Sequence, residues 1–247
     1  MARSFNGTNE YLSNASAVLT GPPITMACWF NTDDRTITPG QTMIQVADSG
    51  TANHYYQLRI RGGGQAVCAT KRLGGSQLNA DASASPTNGA WHHACGIFIS
   101  SGDDQQAYMD GANKGTQGSG GTPSGIDNTA IGRLSDSSPS EYFDGEVAEA
   151  AIWNVELTAA EIASLAAGYC PLFVRPGSIK AYWPLGGALS ADDSDTDVVG
   201  GYHMTDNNSP TTAAHPPIIY PSYPIVIAAA AGNAARAMHH YRMLRCS

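Results

Sequence analysis

The stretch WHHACGIFIS, residues 91–100, decides the fold. Trp91, His93, Cys95, Ile97 and Ile99 share one side of an extended chain, and His92, Ala94, Gly96 and Phe98 share the other. That is the period of two that belongs to a β-strand and not to a helix. Outward from it, Ser101, Gly102 and Asp103 turn the chain into a second strand, Gln105–Asp110, and Asp110-Gly111 turns it again. Upstream, Ile24, Met26, Cys28 and Phe30 alternate with Thr25, Ala27, Trp29 and Asn31, and Thr42–Ala47, Tyr55–Arg61 and Gln65–Leu73 read as further strands. Gly62, Gly63 and Gly64 supply the hairpin turn between the last two. Downstream, a Gly-rich loop over 115–125 precedes strands at Asn128–Leu134, Glu141–Asn154 and Ile179–Leu185. One helix is legible: Thr158 and Glu161 have capping-box spacing, Ile162, Leu165 and Ala166 form an apolar side, and Gly168 and Pro171 stop it. Many strands with one late helix predict an all-β, two-sheet antiparallel jelly-roll sandwich.

Composition agrees. The 247 residues are 42% hydrophobic and only 14% charged, with 27 Gly, which suits short strands and tight turns better than helices. A net charge of −8 excludes the basic footprint of a nucleic-acid binder. No run reaches the roughly 18 apolar residues of a membrane span. The start, MARSFNGTNEYL, lacks the apolar core of a secretory leader, so synthesis in a cytoplasm is expected. Five scattered Cys (Cys28, Cys68, Cys95, Cys170, Cys246) predict reduced, buried thiols and neither a disulfide framework nor a CxxC metal site.

Two regions are predicted: a sandwich over 1–187 and a Pro-rich extended arm over 188–247. Pro210, Pro216, Pro217, Pro221 and Pro224 discourage regular structure in the arm. From residue 207 onward there is no Asp or Glu, only Arg236, Arg242 and Arg245 with three His. The end from Asn233 reads as a helix with Met238, Tyr241 and Leu244 on one stripe.

Five blocks carry a resemblance: Ala90-Trp91-His92-His93, Tyr108-Met109-Asp110-Gly111, Ile131-Gly132-Arg133, Phe143 through Glu149, and Ile152-Trp153-Asn154 with Leu157-Thr158 and Glu161. In order and spacing they resemble the laminin-G-like, concanavalin A-like jelly rolls, over about Phe5 to Leu185. The resemblance implies two curved sheets used for binding sugars, proteins and, in some members, calcium. Ala148 stands here where such members place an acid before Glu149, so no metal and no other cofactor are expected. A jelly roll followed by Asp197-Val198-Val199-Gly200 and a Pro-rich close is also similar to structural proteins of tailed bacteriophages, head decoration proteins among them.

The candidates for chemistry weigh toward structure. His92 and His93 point to opposite faces of one strand and cannot converge on an ion. Asp144, Glu146 and Glu149 read D-x-E-x-x-E, not the E-x-D-x-x-E order of glucanases with related sandwiches, so no catalytic residue is expected and the chain is read as a non-enzyme. Trp29, Trp153 and Trp183 have the apolar neighbours of core residues, while Tyr55, Tyr56 and Tyr142 are candidates for stacking on sugars. In the tail, Tyr220, Tyr223, Ile225, Val226, Ile227, Arg236, Met238, Tyr241, Arg242, Leu244 and Arg245 combine aromatic, apolar and Arg character without acids, the composition of an interface anchor. The expectation is a virion structural protein on the particle surface, decorating a capsid through its arm. Its partners would be capsid or other virion proteins and neighbouring copies of itself in a homo-oligomeric assembly. The alternative is a carbohydrate-binding, lectin-like module of a tail or fibre that touches cell-surface glycans.

Overall fold

The alternating stretches become strands, and several short strands without clear alternation join them. In the computed structural model, which describes residues 1–63, 66–100, 104–118, 120–186 and 195–220, the chain begins with β1 (Ala2–Asn6), β2 (Tyr11–Asn14), β3 (Ile24–Thr32) and β4 (Gly40–Ala47). It continues through β5 (His54–Arg61), β6 (Val67–Leu73), β7 (Ser76–Asp81), β8 (His92–Phe98), β9 (Gln105–Met109), β10 (Ala112–Gln117) and β11 (Asn128–Ile131). Last come β12 (Asp144–Trp153), α1 (Ala159–Ala166), a 3-10 turn at Pro171–Phe173, β13 (Ile179–Trp183), β14 (Thr205–Asn207) and β15 (Thr211–Ala213). Two antiparallel sheets result. Sheet A runs β10-β9-β8-β3-β12-β1-β15, with β13 also paired to β12, and sheet B runs β14-β2-β11-β4-β5-β6-β7.

The quoted stretch shows how the layers stack. Ala94 and Phe98 of β8 enter the core between the sheets, among Phe30, Tyr56, Leu58 and Phe143. Cys95 and Ile97, on the other face, enter a second core with Trp153, Tyr182 and the helix residues Ile162 and Leu165. Sheet A is therefore the middle of three layers, with sheet B on one side and α1 on the other. The helix forms where the capping box predicts: Glu161 N–H donates to Thr158 Oγ1, and Thr158 N–H donates to Glu161 Oε2 at 2.8 Å. Burying Ile162 and Leu165 contributes roughly 1.5–3 kcal/mol each and holds the helix to the sheet.

The arm departs from expectation over its described part. Residues 195–220 lie on the sandwich and extend both sheets: β14 pairs with β2 and β15 with β1. The prolines do not prevent this because both strands are three residues long, and Pro210 falls in the turn between them. Buried polar groups fix the segment. The Asp197 carboxylate accepts the amides of Tyr182, Val199, Gly200 and Tyr202, each at 2.9 Å, so the Asp197-Val198-Val199-Gly200 motif is an acceptor nest within the chain. Arg3 of β1 grips Asp195 through two bonds of 2.7 and 2.6 Å and reaches Asp206 at 2.9 Å. Burial pushes the Asp195 carboxyl up to about 7, against the pull of Arg3 and with Asp206 beside it. Trp183 Nε1 donates to the Tyr202 carbonyl at 2.7 Å.

The four described cysteines are free and buried, as expected. Burial pushes the Cys68 and Cys170 thiols up to about 12. His93 is a core histidine: its ring packs edge-on against Trp29, Nδ1 has no hydrogen-bond partner, and burial lowers its pKa to about 4. Folding thus holds it neutral, whereas the unfolded chain takes a proton below about 6.5. A depressed folded pKa contributes stability that is present above about pH 6.5 and lost as pH falls through about 4, worth on the order of 3 kcal/mol. The thermal midpoint of the wild type should therefore fall more steeply between pH 6.5 and 4 than that of a His93→Leu variant; equal slopes in calorimetry would contradict the buried neutral ring.

Candidate functional site

The residues nominated by sequence scatter. His92 is a clamp: the Thr87 amide donates to Nε2 at 3.0 Å, which leaves Nδ1 to donate to Asp110 Oδ2 at 2.8 Å. Asp144 and Glu146 are half-buried and pushed up by burial and by Asp33. Glu149 sits apart in a β-bulge with φ 54°, buried, accepting from the hydroxyls of Tyr182 and Tyr220, with His215 Nε2 3.1 Å away. Trp153 and Trp183 are fully buried, while Trp29 is half-buried beside His93. Tyr56 is core, packed edge-on against Phe98, and Tyr142 is half-buried near Tyr11 and Arg133. Of the tail residues, Tyr220 is engaged within its own chain: its hydroxyl donates to Glu149 at 2.8 Å and its ring lies against the second core. Tyr223, Ile225, Val226, Ile227, Arg236, Met238, Tyr241, Arg242, Leu244 and Arg245 lie outside the described residues.

A different set of side chains converges on the outer face of sheet B. On β5, Tyr56, Leu58 and Ile60 point into the core, so Tyr55, Gln57, Arg59 and Arg61 point away from it. Cross-strand register extends this row into three rungs: Tyr55–Arg72–Gln77, Gln57–Thr70–Asn79 and Arg59–Cys68–Asp81. Residues 133–143, between β11 and β12, fold back over these rungs. Leu134 packs on Tyr55 and Ala47, and Asp136 accepts the Asn53 amide at 2.7 Å. Glu141, with φ 54°, turns its carboxylate down onto the sheet, where Oε1 accepts from Arg59 at 2.7 Å and Oε2 from Gln57 at 2.6 Å. Arg59 is further held by Thr70 Oγ1 at 2.9 Å and Asn79 Oδ1 at 3.2 Å. At the far end Pro39 meets the β5–β6 turn so closely that a Cβ on Gly62 would fall 2.4 Å from the Pro39 carbonyl oxygen.

The result is an open cavity of about 540 Å3 whose floor is polar. Three arginines (Arg59, Arg61, Arg72) line it against two acids, Asp136 and Glu141. Arg59 pairs with Glu141, and Arg61 with Asp81. Both Asp136 oxygens accept backbone amides, those of Asn53 and Ser138. Arg72 has no carboxylate partner among the described residues; it hydrogen-bonds the Tyr55 phenol and, weakly, the Gly74 carbonyl at 3.3 Å. Burial raises the Tyr55 pKa, partly offset by Arg72, so the phenol stays protonated. Asn79 Oδ1 collects bonds from Arg59, Thr70 and Gln77, which leaves its Nδ2 and the Gln77 Oε1 free to face a ligand.

A model of the concanavalin A-like lectin/glucanase superfamily matches residues 6–163. The chain belongs to that superfamily. No curated protein matches it by sequence. Among solved structures, a Bacteroides ovatus protein classed as carbohydrate-binding superposes with a TM-score of 0.58 at 22% identity, covering 88% of this chain and 61% of that one. Domain 4 of the Geobacillus stearothermophilus arabinanase AbnA, in complex with arabinotriose, gives a TM-score of 0.55 at 18% identity, covering 67% of this chain and 76% of that one. The CBM40 module of a Ruminococcus gnavus sialidase, bound to α2,3-sialyllactose, gives 0.51 at 12% identity, covering 67% of this chain and 98% of that one. At these identities the superfamily neighbours establish a shared fold.

Sequence reasoning named Tyr55 for stacking on sugars, but the ring is 1% exposed beneath Leu134 and presents no face to a ligand; Arg59, Arg72, Gln77, Asn79, Asp136 and Glu141 were missed. Tyr55–Arg61 was legible as a strand; that β6 and β7 would extend its outer side and that 133–143 would wall it was not. The Arg59–Glu141 pair is buried, with side chains 4% and 7% exposed. Removing one partner strands the other charge, which costs roughly 3–5 kcal/mol. Glu141→Ala should lower the urea midpoint accordingly, and a change below about 1 kcal/mol would mean that the pair does not hold the wall in place.

Proposed function

We propose that this chain is a carbohydrate-binding module that takes a glycan in the groove on sheet B and acts without catalysis. The observation that carries the reading is the cavity floor, built from planar hydrogen-bonding groups in register on three adjacent strands. Sugar hydroxyls both donate and accept. A site for them needs donors and acceptors side by side, and Asn79 Nδ2, Gln77 Oε1 and the hydroxyls of Ser138 and Ser140 along the cavity supply both, with Gln77 tied to Asn79. The volume of about 540 Å3 falls within the roughly 300–1,000 Å3 of small-ligand sites. The two lining acids are each committed, Glu141 to Arg59 and Gln57 and Asp136 to backbone amides, which favours binding over acid–base chemistry. The sugar ligands of the superposed arabinanase and sialidase modules support the same assignment. The full chain should give selective signals on a glycan array, and Asn79→Ala should weaken the strongest of them about tenfold or more by titration calorimetry. A blank array, or undiminished affinity in the variant, would remove the groove from the assignment.

A second reading, a virion surface protein that decorates a capsid, draws on one observation. Residues 221–247 contain Arg236, Arg242 and Arg245 and an apolar run from Ile225, with no acid, on a chain whose net charge is −8. Deleting 221–247 should then abolish incorporation into particles while leaving glycan binding intact, and unchanged incorporation would exclude the anchor.

A further inference from the structure

Of the three guanidinium groups in the groove, two are neutralised and one is not. Arg59 is spent on Glu141 and Arg61 on Asp81, and the Asp136 carboxylate is taken by two amides. Arg72 stands in the middle of its rung, between Tyr55 on β5 and Gln77 on β7, half-buried and with no carboxylate partner among the described residues. The surroundings hold its direction. Its Nε bonds to the Gly74 carbonyl, and Tyr55, 1% exposed and packed under Leu134, is its cross-strand partner on β5. A pre-oriented, uncompensated guanidinium in a walled cavity is a binding group for a planar or tetrahedral oxyanion, because charge-assisted bonds gain strength as water is excluded.

We infer that the groove selects glycans whose sugar residues carry a single negative group, seated on Arg72, with neighbouring ring hydroxyls on Gln77 and Asn79. The inference rests on the glycan-binding reading and adds the chemical class of the sugar. Charge sets the number of acid groups. Arg72 is the one guanidinium of the lining without a carboxylate partner among the described residues, on a chain whose total charge is −8, so a densely charged polyanion would be repelled by the surrounding surface while an isolated acid group finds one partner. The shared chemistry is a monoanionic substituent on a pyranose or furanose ring, which a carboxylated sugar or a sulfate ester supplies equally.

The test uses the full chain on an array that carries neutral, carboxylated and sulfated glycans. Titrations follow with the strongest acidic hit and its carboxyl-reduced or desulfated counterpart. The acidic glycan should bind at least tenfold more tightly than its neutral counterpart, and Arg72→Gln should reduce that ratio to near one. Arg72→Lys, which keeps the charge and loses the fork, should retain part of it, and this separates loss of charge from loss of folding. Preference for carboxylated over sulfated glycans would identify the acid as a carboxylate, and the reverse order as a sulfate ester. Equal affinity for the acidic and neutral forms, or a preference that survives Arg72→Gln, would overturn the inference and leave glycan binding in place. Absence of binding to every printed glycan would overturn both.

Discussion

The buried ion pair between Arg59 and Glu141 is the contact on which the shape of the free face depends. Without it, the outer side of sheet B would be an exposed lattice of polar side chains with a loop beside it. With it, residues 133–143 are drawn down onto the strands and the face acquires a wall. A buried pair is costly to desolvate, and attraction alone seldom offsets that cost. Here Gln57, Thr70 and Asn79 add to the pair, so each guanidinium nitrogen and each carboxylate oxygen has a hydrogen-bond partner. The same bonds organise the floor. By fixing Asn79 Oδ1 they determine which of its atoms is left for a ligand.

The three-layer arrangement explains why this face is the one available. Sheet A buries one side against sheet B and, over β8, β12 and β13, the other against α1 and the 3-10 turn. One acid on that covered side, Glu149, is held in a structural role between Tyr182, Tyr220 and His215. Among the described residues, sheet B has no helix behind it. Its outer face compensates by pairing charges and hydrogen-bonding its own side chains, and that is what makes a polar floor stable enough to stay in place when a ligand arrives.

The segment 195–220 shows the same economy of charge. Asp197 replaces water for four amides, Asp195 and Asp206 share Arg3, and the acid-free stretch that follows brings His215 and Tyr220 to Glu149. The asymmetry of charge along the chain is thus partly a matter of internal complementarity: a segment without acids returns to a sandwich that has them.

Alternation alone determined the strands of the centre and the sandwich they build, because a side-chain period of two with apolar residues on one side permits few other structures. The capping box at Thr158 and the turn at Asp110-Gly111 were legible for the same reason: their signals lie within a few residues of one another. Chemistry that depends on distant residues was not. Arg59 and Glu141 are 82 positions apart, Arg3 and Asp195 192 apart, and no local pattern joins them. Nor could sequence tell that β8 would be covered on both faces, or that the polar row of β5 would meet Arg72 and Asn79 in register. Those facts depend on which strands become neighbours, and strand neighbours are chosen by the packing of the whole core.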